Sequence, residues 1–138
     1  MKKVYVEING RVTADGETDT MSYSTEGRLY KKSGKYYINY TEGQLLGGSE
    51  CSTTIKVNPE GIVTMMRSGA ANTQMIFEEG RSHMSCYETD CGNLNVNVTA
   101  GEVKIDMSDN GGSLDIDYSL SINNLQSSRN HVNVRVRS

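Results

Sequence analysis

Leu114-Asp115-Ile116-Asp117-Tyr118-Ser119-Leu120-Ser121-Ile122 carries an apolar side chain at every even position and a polar one at every odd position. A helix would scatter those apolar residues around its axis. A strand sorts them onto two opposite faces, one for a core and one for water. The same alternation recurs in Leu94–Val98, Val103–Met107 and Val132–Arg137. Near the start, Val4, Val6 and Ile8 alternate with Lys3, Tyr5, Glu7 and Asn9. The stretches 18–31, 35–42, 52–57, 62–67, 73–79 and 82–89 are less regular but still β-like, so about ten strands are expected. No segment shows a 3.6-residue period, and no substantial helix is expected.

The breaks between these stretches have turn chemistry. Ser33-Gly34, Asn58-Pro59-Glu60-Gly61, Asp90-Cys91-Gly92-Asn93 and Asp109-Asn110-Gly111-Gly112 each separate two alternating runs. Proline presets the backbone for a turn, and glycine tolerates positive φ. Connections this short join antiparallel neighbours, because parallel pairing needs long crossovers. Gln44–Glu50, with Gly47-Gly48, is expected to be the most mobile loop. The whole chain, 1–138, reads as one all-β domain. Consecutive hairpins with one apolar face favour an antiparallel up-and-down barrel of about eight to ten strands, which leaves no sticky edge.

Composition narrows the function classes. Leu, Ile, Val and Phe supply only about a fifth of the 138 residues, but the net charge of -3 is too small for a disordered chain. Fourteen basic against 17 acidic residues, with no run of like charge, argue against a general nucleic-acid binder. No apolar run has the length of a signal segment or a membrane span, so a cytoplasmic protein with no membrane partner is expected. Three cysteines, Cys51, Cys86 and Cys91, are odd in number and fit free thiols in a reducing compartment.

Particular segments resemble a known family. Tyr37-Ile38-Asn39-Tyr40-Thr41-Glu42 is followed by Thr53-Thr54-Ile55-Lys56-Val57, and then by Gly61-Ile62-Val63-Thr64-Met65-Met66-Arg67-Ser68-Gly69. Phe77, Gly80, Tyr87, Gly92 and Tyr118-Ser119-Leu120 complete the set. The chain from about Gly27 onward resembles the YwiB-like family of small bacterial proteins of unknown function. That resemblance implies a calycin-like, lipocalin-like β-barrel and implies no activity.

Few residues suggest chemistry. Arg67 shares a strand parity with Val63 and Met65, so it points inward if that face is the core. A guanidinium there would anchor an anion, or it would close a barrel end by pairing with an acid such as Glu42 or Glu26. Tyr23, Tyr36, Tyr40 and Tyr118 fall on apolar faces, where they either line a ligand pocket or fill the core. His83, Cys86 and Cys91 lack the spacing of a zinc site, and His131 lies on a polar strand face, so no metal is expected. Asp106, Asp115 and Asp117 read as solvated cross-strand charges near Lys104, Arg135 and Arg137. Lys31, Lys32 and Lys35 beside tyrosines leave single-stranded nucleic acid as a minor reading.

No catalytic constellation and no cofactor site can be assembled. Two readings remain. One is a barrel that holds a small amphipathic or apolar ligand in its interior or mouth. The other is a solid-cored barrel that acts as a protein-interaction module.

Overall fold

The computed structural model describes residues 2–42, 51–69, 73–89, 92–122 and 125–138. Ten strands run through them: β1 (Lys2–Ala14), β2 (Glu17–Lys32), β3 (Lys35–Glu42), β4 (Cys51–Val57), β5 (Val63–Gly69), β6 (Thr73–Phe77), β7 (Ser82–Thr89), β8 (Gly92–Ser108), β9 (Gly111–Ile122) and β10 (Leu125–Arg137). No helix occurs among the described residues. Every ladder is antiparallel and joins chain neighbours, except that β1 also pairs with β10. The order β6-β5-β4-β3-β2-β1-β10-β9-β8-β7 is therefore an up-and-down meander rolled into a barrel.

Closure falls between β6 and β7, which form no ladder with one another in this sheet. The turn that joins them bonds instead to β8. Gly80 N–H donates to the Ala100 carbonyl at 2.9 Å, and Ala100 N–H donates to the Arg81 carbonyl at 3.2 Å. His83 Nε2 meets Glu78 Oε1 at 2.9 Å along the same seam. These contacts satisfy backbone groups that an open edge would expose.

The alternation maps directly onto burial. Val4, Val6, Ile8, Ile38, Val96, Val98, Leu114, Ile116, Val132, Val134 and Val136 are all buried, while Val103, Ile105 and Leu120 are partly buried against them. Leu94 was expected inward with them, but its side chain lies outside the described residues. Each such side chain contributes about 1.5–3 kcal/mol when fully withdrawn from water.

Two features modify the pattern. The runs Leu94–Val98 and Val103–Met107 belong to one 17-residue strand, β8. A register shift between Ala100 and Glu102 inserts one extra residue, so inward positions change from even to odd. Asp15 and Gly16, at φ 52° and 78°, make a two-residue turn with both positions left-handed, which joins β1 and β2 into a long hairpin.

The expected turns at Ser33-Gly34 and Asn58–Gly61 are present. Asn58 Oδ1 accepts from the Glu60 and Ile62 N–H groups at 3.1 and 2.9 Å. The loop expected at Gln44–Glu50, and Asp90 and Cys91 of a third turn, lie outside the described residues.

Candidate functional site

The barrel has two ends of different character. At the end that carries the β2–β3 and β8–β9 turns, the Tyr36 hydroxyl donates to Asp109 Oδ1 at 2.8 Å. Lys31 Nζ lies 5.2 Å from the centre of the Tyr36 ring, and Lys2 Nζ donates to Asn110 Oδ1 at 2.7 Å. Strand β3 and the β8–β9 turn are not sheet neighbours, so Tyr36 reaches across this end and closes it. The bond to Asp109 holds the Tyr36 hydroxyl above its ordinary pKa, chiefly through the hydrogen bond, with partial burial and the carboxylate charge adding to it.

The middle is filled. Phe77 is fully buried, and its ring meets Tyr118 edge-on at 4.8 Å between centroids. Ile38, Ile55, Val63 and Val98 surround this level with no exposed surface. Tyr40, 2% exposed, belongs to the same core.

Toward the opposite end the described apolar side chains of the first hairpin become exposed. Along β1 the inward positions Val4, Val6 and Ile8 are 0, 1 and 5% exposed, whereas Val12 is 44% exposed. On β2, Leu29 is buried, Tyr23 is half-buried and Met21 is 56% exposed. Val12 and Met21 thus keep the inward register of their strands but rise past the filled layer. The Tyr23 hydroxyl donates to the Thr41 carbonyl at 3.1 Å, which ties β2 to the end of β3 at this mouth.

Arg67 lies at the same end. It shares the inward parity of Val63 and Met65, both buried, and its ladder partners are Thr53 and Thr73. Tyr40, Thr53 and Arg67 therefore stand in one cross-strand row on the inner wall. Of the acids considered for Arg67, Glu26 faces outward and pairs with Lys3 at 3.4 Å. The side chain of Glu42 lies outside the described residues.

The five residues singled out in the sequence thus divide by height. Arg67 and Tyr23 stand at the mouth, with Tyr40 just below them. Tyr118 is in the packed middle, and Tyr36 is at the closed end. Of the thiols considered for a metal, Cys86 has its side chain outside the described residues, and Cys91 lies outside them altogether.

The outer wall holds a cluster that was not legible beforehand. His131 is clasped at both ring nitrogens, by Asp115 Oδ1 at Nε2 (2.8 Å) and by Asp117 Oδ1 at Nδ1. The β9–β10 register sets Asp117 opposite His131 and Asp115 opposite Asn133, so the ring sits beside both carboxylates. Lys104 pairs with Glu102 at 3.1 Å, and that bond raises its pKa. Next to His131 a groove of about 660 Å3 opens, with the outward residues Arg11, Thr13, Asp117 and Arg129 and the inward residues Tyr118 and Asn130 along its walls.

Comparison with known proteins agrees with this architecture. Residues 6–134 match the family model described as a domain of unknown function, DUF1934. The chain is 28% identical over 123 residues to the uncharacterized beta-barrel protein YwiB of Bacillus subtilis (strain 168), covering 89% of this chain and 84% of that protein. The crystal structure of the ywiB protein from Bacillus subtilis superposes with a TM-score of 0.87 over 99% of this chain and 91% of the other, at 24% identity. That likeness establishes the shared barrel fold.

Proposed function

Because the chain belongs to the DUF1934 family of domains of unknown function, we propose from its own geometry that it is a binding protein whose open barrel mouth takes a small amphipathic ligand. The observation that carries this reading is the exposure of Val12 and Met21 on the inner register, above a core in which the inward residues lower on β1 are buried. Apolar side chains kept in water gain when a guest covers them. The Tyr36–Asp109 bond at one end and the Phe77–Tyr118 contact in the middle confine the reading to the mouth. Methionine adapts its shape to varied apolar partners, and Arg67 and Tyr23 supply polar groups at the same end for a ligand head.

Decanoate, competing with the amphipathic dye anilinonaphthalene sulfonate, tests the proposal. One saturable site per chain is expected. Met21→Asp should abolish it while leaving the thermal midpoint unchanged, and Tyr5→Ser on the outer wall should leave binding intact. Equal binding by wild type and Met21→Asp would overturn the mouth as the site. The solid-cored barrel acting through its outer wall would then be the better reading, and the packed Phe77–Tyr118 layer supports it.

A further inference from the structure

We propose that the groove beside His131 binds a small organic phosphate monoester, held by Arg11 and Arg129. The site is independent of the barrel mouth. Arg11 pairs in register with His131, and Thr13 pairs with Arg129, so the two arginines are diagonal neighbours on adjacent strands and share the outer face. Like charges in this relation repel. Among the described residues no carboxylate lies within ion-pair distance of either guanidinium, in a chain whose net charge is -3.

Among the residues that line the groove the one acid is Asp117. It is drawn to His131 Nδ1, and Asp115 holds the other nitrogen, Nε2, of the same ring. The histidine clamp therefore keeps the one groove carboxylate engaged away from the arginines. Two guanidinium forks facing one space suit a doubly charged group with several acceptor oxygens better than a single carboxylate.

Hydroxyls complete the donor set. Thr13 Oγ1 and Thr18 Oγ1 lie 3.0 Å apart, so one hydroxyl hydrogen is used between them and the other is left to donate outward. Ser119 lines the same wall and is the register partner of Arg129. The groove, at about 660 Å3, is in the range of small-molecule sites and far larger than a phosphate group alone. An organic body attached to the phosphate would occupy the rest.

The test is a titration of isotope-labelled protein, followed by amide shifts at constant ionic strength, with ribose 5-phosphate, inorganic phosphate and ribose as probes. Ribose 5-phosphate should saturate shifts at Arg11, Thr13, Ser119 and Arg129, and bind more tightly than inorganic phosphate at the same residues. Ribose should shift none of them. Arg11→Gln and Arg129→Gln should each weaken binding by about tenfold, the effect of losing one charge-assisted pair. Asp117→Asn should tighten it, because a negative charge leaves the groove. Met21→Asp should change nothing here, which separates this site from the mouth. Inorganic phosphate binding as tightly as ribose 5-phosphate would overturn the organic-ligand assignment. Absence of saturation, or arginine variants that bind like wild type, would overturn the site.

Discussion

Tyr36 and Asp109, 73 residues apart in sequence, are joined by a 2.8 Å hydrogen bond that closes one end of the barrel. The bond exists only while the phenol keeps its proton. The folded-state pKa of Tyr36 is raised above the ordinary 10.0, so the bond's contribution is complete below pH 10.0 and is lost as pH rises through the higher folded value. Tyrosinate absorbance should therefore include a late phase from Tyr36. Tyr36→Phe should remove that late phase, and Asp109→Asn should move it to lower pH. A late phase that survives Tyr36→Phe would assign it to another tyrosine.

Gly27 marks a tight corner of the wall. A Cβ there would stand 2.7 Å from the Asn39 carbonyl oxygen and 2.9 Å from Val6 Cγ2. The first neighbour is backbone of the adjacent strand and cannot swing aside. Gly27→Ala should cost about 1–3 kcal/mol, the usual range for overpacking a core. Urea unfolding with an unchanged slope and a lower midpoint is the expected result. An unchanged midpoint would mean that β2 and β3 can separate freely at this point.

The fold was legible because alternation and burial are the same physical fact seen twice. Val4, Val6, Ile8 and Leu114–Ile122 could be assigned to an inner face without knowing any partner strand. Height along the barrel was not legible. Tyr36 and Tyr40 share one face of β3, yet Tyr40 is core and Tyr36 is a plug, because strand tilt and register decide the level. The change of parity between Val98 and Val103, with Gly101 between them, was visible in the sequence and signals a bulge. The His131 clamp needed the β9–β10 register, which a register shift between Gln126 and Ser128 helps to set, and no local pattern announces that. Arg67 shares its strand parity with Val63 and Met65, which are buried. Its considered partner Glu26 belongs to the outer wall, since Glu26 lies opposite Tyr5 in the β1–β2 ladder.

Phe77 is the largest fully buried side chain among the described residues, and it packs edge-on against Tyr118. It lies on β6, next to the seam, so it also helps hold β6 against β8 and β9. Phe77→Ala should destabilise the protein by about 3–5 kcal/mol, the range for deleting a buried aromatic ring. The seam makes a further outcome specific. Amides of Gly80 and Ala100, which bond across it, should lose more exchange protection than those of Val6 or Val134. Uniform loss over the sheet would mean that Phe77 supports the core without supporting closure.

The β1–β2 hairpin should be the least stable described part of the wall at the open end, although its ladder is continuous from Lys2–Leu29 to Ala14–Glu17. Backbone hydrogen bonds alone contribute little net stability when water can replace them. What protects an amide is the apolar area that its opening would expose. That area is large around Val4, Val6 and Ile8 and small around Val12 and Met21, which are already in water. Hydrogen exchange should therefore be faster at Arg11–Thr13 and Thr18–Met21 than at Val4–Ile8, by about tenfold for each 1.4 kcal/mol of local stability lost. Decanoate should slow exchange in Thr18–Tyr23 selectively if it covers Met21. Protection that is uniform along β1 would show the hairpin opening only with the whole barrel, and would remove the local give that entry of a guest at the mouth requires.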